Sequence, residues 1–490
     1  MHHLILSPKS LISSPNASPF SIIFHPTNPN SISPNSHKTH RNSTLNCRAT
    51  DVSVLNNCSN SLNSSQNGVF RSKNPEKSTD LGVKDVDVAT LGNLCVDIVL
   101  NVPHLPPNPI SERKAYMEHL ASSPPDKQYW EAGGHCNTAI AAARLGLRCV
   151  TIGHVGNEIY GQFLLDVLRE EGIGFVEMID NPDAIANAEE AHNTLLCWVL
   201  VDPFQQHGFC SRVDFMDEPA FNWINDLSKN VKSVIKRSKI LVVNGYGFDD
   251  HTPGFIVSAL KYAVEVGTSV FFDPGPKGKS LSAGTPEEQM AFNELLKMSD
   301  VVLLTSDEAE SLTGITNPIL AGQELLKNGI RSKWIIIKLG SKGSVLITMS
   351  GTSCAPSYKV KVIDTVGCGD SFVGAVAFGF VHRLPRTHTL AIANAVGAAT
   401  ATGCGAGRNV ACFSKTIELV KSGDVYEDNE FWRDLLGERV DAKEVSLLSK
   451  EETNEIYEDV SCVPLEKIAT EVISKLEESS KVGTAPNWRD

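Results

Sequence analysis

From Ile240 to Leu339 the chain alternates short runs of consecutive apolar residues with longer stretches whose apolar positions recur every three or four residues. The short runs predict strands at Ile240–Asn244, Ser269–Asp273, Val301–Thr305 and Trp334–Leu339. The longer stretches predict helices at Gly254–Val266, Pro286–Lys297 and Asp307–Thr313. Strands apolar on both faces and separated by helices imply a mostly parallel, covered sheet, an α/β fold. Ligands of such sheets meet the carboxyl ends of the strands, which here carry Gly245, Asp273, Glu308 and Gly340.

Upstream, Val86–Asp97 reads as one buried strand ending in a polar turn. Residues 101–131 are Pro-rich and irregular, with short alternating pieces such as Arg113–Met117, and residues 192–214 read as a hairpin around Asp202-Pro203 and Gly208. Downstream, Val360, Val362 and Ile363 predict a strand that ends at Asp364. A tight turn through Gly367 and Gly369 follows, and then a helix that opens at Asp370 and continues through Phe372, Val373, Val376, Phe378 and Phe380.

Composition changes this picture mainly at the two ends. Residues 1–50 hold ten Ser, no Asp or Glu, and the basic residues Lys9, Lys38, Arg41 and Arg48. That reads as a plastid transit peptide (1–49) with a processing point near Cys47-Arg48-Ala49; the alternative is a merely disordered start. Residues 50–84 read as a linker. The main body then spans 85–425, and 426–490 form an acidic extension with a helix at Leu465–Leu476. Net charge is −13 and no Lys/Arg-rich run stands out, which argues against nucleic acid as a ligand. No apolar run is long enough to span a bilayer. Twelve cysteines lie singly, without CxxC pairs, which argues against a zinc site or a disulfide framework and for reduced thiols in an intracellular compartment.

Chemistry concentrates at the turn. Gly367 and Gly369 let backbone approach a ligand closely, and the free N–H groups of a helix start favour an anion. Asp370 beside them supplies a base to orient an attacking hydroxyl, as phosphoryl transfer needs; taken alone, it reads equally as an N-cap. At a helix N-terminus it is expected to stay ionised.

The full spacing Asp364-Thr365-x-Gly367-x-Gly369-Asp370 resembles the C-terminal signature of the ribokinase-like (PfkB) carbohydrate kinases. Trp130-Glu131-Ala132-Gly133-Gly134-His135-Cys136-Asn137, with Gly146, Gly153, Gly156 and Gly161 downstream, resembles the family's N-terminal signature. Two departures occur: two residues rather than three separate the Gly pair from Asn137, and Glu158 stands where Asp is common. The resemblance spans roughly residues 86–415 and suggests a plant plastid-type member.

It implies a three-layer ribokinase-like fold, a mostly parallel central sheet flanked by helices, with a small β lid drawn from about 101–131 and 192–214. It implies Asp370 as the base, with the N–H groups of Val366, Gly367, Cys368 and Gly369 holding the transferring phosphate. Asp97, Gly133, Gly134 and Asn137 would bind substrate, His135 being an ordinary turn residue. Lys338, Gly340, Gly343, Asp364, Thr365 and Asn394, with Gly403–Gly407, would line the nucleotide site; the alternative for Asn394 and Gly403–Gly407 is ordinary helix packing and a C-cap. Glu308 would hold magnesium through water, with Thr305 replacing the family's Asn; the alternative for Glu308 is a first-turn acid favoured by the helix dipole. Implied cofactors are ATP and Mg2+, with K+ in some members. Implied partners are a small sugar or polyol, no nucleic acid, no membrane, and a second copy through the lid.

Two look-alikes fail. Gly278-Lys279-Ser280 has Asp273 where a P-loop needs its first Gly, and Gly367-x-Gly369 has Phe372 where a dinucleotide fingerprint needs its third. The expectation is an ATP-dependent kinase acting on a hydroxymethyl group of a sugar or related polyol. The alternative is a kinase-shaped regulatory or scaffold protein of the plastid with little or no activity.

Overall fold

The computed structural model describes residues 84–123, 125–179, 193–204, 206–437, 444–450 and 460–482; the expected leader and nearly all of the expected linker lie outside them. Strand β1 (Val86–Leu91) is buried along its length in a large sheet. The chain leaves that sheet at Gly92–Asn93 and enters a second one as β2 (Leu94–Asn101), antiparallel to β3 (Trp130–Gly134). β4 (Cys149–Gly153) and β5 (Gly174–Glu177) return to the large sheet on one side of β1. β6 (Leu195–Val201) and β7 (His207–Ser211) form the expected hairpin and complete the small sheet, whose order is β3-β2-β6-β7.

The large sheet continues on the other side of β1 with β8 (Ser238–Asn244), β9 (Ser269–Asp273), β10 (Val301–Thr305) and β11 (Trp334–Lys338), all parallel. β12 (Ser344–Thr348) and β13 (Gly351–Ala355) add antiparallel strands. β14 (Val445–Ser449) and β15 (Val460–Pro464) then extend it in parallel, giving the order β15-β14-β13-β12-β11-β10-β9-β8-β1-β4-β5. Helices His135–Arg144, Cys368–Val381, Arg386–Thr400 and Leu465–Val482 cover one face; helices Lys229–Arg237, Pro253–Glu265 and Pro286–Met298 cover the other. This is the expected α/β three-layer architecture with a β lid.

Four local expectations are corrected. Val86–Asp97 is two strands, because Gly92 (φ +73°) and Asn93 (φ +52°) adopt the left-handed conformation these residue types tolerate best. That hinge sends β2, and Asp97 with it, into the lid. Residues 101–131 are not simply irregular: Ile110–Ala121 is a helix with no fully buried residue, which sets only Tyr116, Met117 and Leu120 partly against the core, a short apolar stripe. Val360–Ile363 is not a strand. The sheet offers it no partner, since β13 is already flanked by β12 and β14, and Ile363 and Asp364 donate instead to the Ala401 carbonyl. The helix begins at Cys368, two residues before Asp370.

The acidic extension is integrated with the sheet. Helix Leu465–Val482 buries Leu465, Ile468, Val472 and Leu476, each worth roughly 1.5–3 kcal/mol when removed from water. His388 Nε2 lies 2.7 Å from Glu471 Oε2, and the Ser479 hydroxyl donates to the Leu145 carbonyl. The ten cysteines among the described residues carry no disulfide.

Candidate active site

Asn244, Asp273, Thr305 and Lys338 close four adjacent strands, β8 to β11, in register, Asn244 beside Asp273 and Thr305 beside Lys338. Parallel strands must end together, so one polar residue per strand is delivered to a single edge. All four line a cavity of about 420 Å³, with Asn93 joining them from the end of β1. The lid supplies the opposite wall through Asp97, Gly134, Leu195, Cys197 and Phe209–Ser211, and the segment Thr365–Asp370 closes a third side.

The turn owes its shape to two anchors. Gly367 sits at φ +75°, and a Cβ there would press on the Ala406 side chain at 2.7 Å, so glycine is required twice over. Asp364 is buried; its carboxylate accepts from the N–H of Val366 (2.9 Å) and of Gly405 (2.6 Å) and lies 2.6 Å from His207 Nε2 in the lid. The expectation that Val366–Gly369 all point N–H groups at a phosphate is therefore corrected. Val366 spends its N–H on Asp364 and Cys368 donates to Thr365. Helix Cys368–Val381 has no side-chain cap, so Gly369 and Asp370, with Gly367, carry the unspent donors.

Electrostatics at the floor follow from crowding. Lys338 Nζ lies 2.6 Å from Asp273 Oδ2, both mostly buried, and a Cβ on Gly369 would sit 3.7 Å from the ammonium. Burial works against the Lys338 charge, but Asp273, Glu308 and Asp370 outweigh it and hold its pKa above the ordinary value. Asp370 departs from expectation. Burial first and the Asp273 charge second, opposed by Lys338 and the Asn137 amide at 3.5 Å, push its pKa up to about 7. Asp97, across the cavity, is also pushed up to about 7, chiefly by burial; among the described residues its only hydrogen-bond donor is the Cys95 thiol at 3.5 Å.

Thr305-Ser306-Asp307-Glu308 is a capping box: the Thr305 hydroxyl accepts from the Glu308 N–H (3.2 Å), and Glu308 Oε2 accepts from the Thr305 N–H (2.8 Å). Both readings of Glu308 thus coexist, since it caps the helix and also lines the cavity. Its other carboxylate oxygen has no hydrogen-bond partner among the described residues. Those residues hold no group of three or more acidic, His or Cys side chains able to cage a metal. That set suits magnesium, which keeps its waters and leans on phosphates.

Of the residues singled out from sequence, Asp97, Gly134, Asn137, Glu308, Lys338, Thr365, Gly367, Gly369 and Asp370 come together around the cavity. Six do not line it. Gly133 packs directly under the Asp97 carboxylate, where any side chain would collide. Cys368 and Asp364 lie behind the turn. Gly340 and Gly343 shape the β11–β12 connection, a Cβ at Gly343 being barred by the Ala355 carbonyl. Asn394 is fully engaged: it donates to the Ala355 (3.0 Å) and Pro356 (3.1 Å) carbonyls and accepts from Ser344 (2.9 Å). The Gly403–Gly407 loop clasps the lid side instead, Gly407 donating to Asn137 Oδ1 at 2.8 Å. His135, expected in a turn, opens helix His135–Arg144 and is buried, its Nδ1 2.9 Å from the Gly92 carbonyl.

Sequence reasoning missed Asn93, Asp214, Tyr246, Asp249 and Asp250. The signal for Tyr246–Asp250 was their place just after a parallel strand. For Asn93 and Asp214 no local signal existed.

Comparison with known proteins agrees with this geometry. The model of the pfkB family of carbohydrate kinases matches residues 88–411. A 5-dehydro-2-deoxygluconokinase of Bacillus thuringiensis subsp. konkukian is 26% identical over 308 residues, covering 62% of this chain and 85% of the relative. The enzyme of the same name from Bacillus subtilis is 26% identical over 306 residues, covering 61% and 84%. Among solved structures, adenosine kinase from Sinorhizobium meliloti aligns with TM-score 0.53 at 20% identity, covering 69% of this chain and all of the other. An E. coli protein assigned as a ribokinase II, solved with ATP and Mg2+, gives TM-score 0.53 at 20% identity, covering 69% and 99%. These structures share the fold; the family match covers most of the chain and includes both signatures, so the chain belongs to the pfkB family of carbohydrate kinases.

Proposed function

We propose that this kinase transfers the terminal phosphoryl group of ATP to a hydroxymethyl group of a sugar or related polyol. One observation carries the reading: a carboxylate and unspent N–H donors share a single turn, open to a cavity, with the buried Asp97 carboxylate across it. In this reading Asp97 and Asn137 hold acceptor hydroxyls. The acceptor oxygen hydrogen-bonds to the Asp370 carboxylate, which takes the proton as the new P–O bond forms. Lys338 and the N–H groups of Gly367 and Gly369 stabilise the charge on the transferring group. Magnesium, held by substrate phosphates and through water by Glu308, would neutralise phosphate charge.

Phosphorylation assayed against a panel of sugars, nucleosides and polyols tests the reading, with Asp370→Asn as control. Turnover by wild type and its loss in the variant are expected; equal turnover would remove Asp370 from the mechanism. The regulatory or scaffold alternative is favoured by two features, Thr305 in place of an amide and the altered first Gly motif with only two residues between the Gly pair and Asn137, and absence of turnover on every acceptor would select it. Plastid delivery by residues 1–49, activation by K+ and pairing through the lid are further proposals. Organelle import of a fluorescent fusion, assays with K+ replaced by Na+, and sedimentation respectively decide them.

A further inference from the structure

The cavity is charged differently at its two ends. Toward the turn, an anion meets Lys338 and free backbone donors. Toward the lid lie Asp97, Asp214, Asp249 and Asp250. Lys338 is the sole cationic side chain among the described residues that line the cavity, against seven carboxylates. Two cations at the lid end are already paired with carboxylates of that wall. Lys277 lies 2.7 Å from Asp249, and Arg113, 3.9 Å from Asp214, donates to the Phe209 carbonyl.

Two of the four carboxylates also accept protein N–H groups, Asp214 from Ser211 (2.9 Å) and Asp250 from Asn93. Asp97, only 6% exposed, has no better donor than a thiol among the described residues. A buried carboxylate that lacks donors takes them from its ligand, and hydroxyl groups supply them without bringing a like charge. Leu195, Val213 and the Tyr246 ring offer apolar surface for the C–H face of such a ligand.

We infer that the acceptor is an uncharged polyhydroxy molecule, and that the lid end, where Lys277 and Arg113 are already paired with Asp249 and Asp214, excludes sugar acids and sugar phosphates because it offers no uncommitted cation to meet their charge. This rests on the reading of the cavity as a kinase site and names the acceptor's charge class. It separates this chain from relatives named for a gluconate derivative.

Matched neutral and anionic probes test it: glucose with gluconate and 5-dehydro-2-deoxygluconate, ribose with ribonate, and fructose with fructose 6-phosphate. Binding to the full chain is measured by calorimetry, and phosphoryl transfer separately with ATP and Mg2+. At least one neutral probe is expected to bind, with its anionic partner roughly a hundredfold weaker. Equal or tighter binding of the anion, or binding by no neutral probe, overturns the inference. Charge selection without phosphoryl transfer would instead overturn the kinase reading and leave the inference standing. Asp214→Asn keeps an oxygen to accept the Ser211 N–H and frees Arg113. It should narrow the neutral-to-anion ratio about tenfold while melting like wild type; an unchanged ratio in a folded variant removes Asp214 from the selection.

Discussion

The turn end and the lid end of the cavity are built by opposite strategies. At the turn end, five residues of the single segment Thr365–Asp370 line the cavity, and one helix start fixes their geometry. At the lid end, comparable chemistry is gathered from Asn93–Asp97, Gly134–Asn137, Phe209–Asp214 and Asn244–Asp250, four segments distant in sequence. Local construction suits a constant task, holding a phosphoryl group and a base. Dispersed construction lets the acceptor end vary without disturbing the chemistry.

The comparison breaks most sharply at Asp370. Asp370→Asn should lower kcat by about 10²–10⁴-fold, the usual range for a lost general base, while nucleotide binding measured by titration persists. Lys338→Ala should come next. It strips the partner from a mostly buried Asp273, so unfolding free energy should fall by about 3 kcal/mol in denaturant titrations, together with a loss of nucleotide affinity. Retained stability would show that Asp273 is solvated through the cavity.

Both ends should also register pH. With Asp370 pushed up to about 7, kcat/KM should rise about tenfold per pH unit below pH 7 and level off above it. Stability should move the opposite way. Asp97 and Asp370 keep their protons in the folded protein up to about pH 7, whereas the unfolded chain releases them near the ordinary carboxylate value of about 4. The folded state binds more protons across that window, so these groups favour folding least once pH has passed 7. Asp97→Asn should therefore raise the melting temperature more at pH 8 than at pH 5; an equal shift at both would place the Asp97 carboxylate in contact with water.

The same contrast explains what could be read from sequence. The parallel sheet was legible because its strands are apolar on both faces and end in step. The turn was legible because its spacing is local. The lid was legible only in part: the β6–β7 hairpin has a turn signal, but helix Ile110–Ala121 packs only Tyr116, Met117 and Leu120 partly against the core, too short an apolar stripe to stand out. The hinge at Gly92–Asn93 looked like strand, because backbone conformation at two residues hardly perturbs an apolar pattern. Asn394 looked like a nucleotide contact because an amide on an Ala-rich helix gives no hint that its hydrogen bonds are taken by neighbouring carbonyls. Asp370 was expected to be ionised because a helix start is visible in sequence, whereas Asp273 and the surrounding burial are not.

The smallest effect expected lies at a direct link between the two ends. Asp364 anchors the turn through Val366 and the Gly405 loop, and its carboxylate also meets His207, the first residue of lid strand β7. His207→Ala leaves both backbone anchors in place, so the turn keeps its shape and the lid alone loses a tether. Acceptor KM should then rise by a few-fold while kcat stays within about a factor of two, because holding a lid closed contributes to binding more than to the chemical step. Asp364→Ala removes all three contacts and should lower kcat as well. If His207→Ala lowers kcat as much as Asp364→Ala does, the lid and the turn behave as one unit, and the division between a fixed chemical end and a variable acceptor end fails at that link.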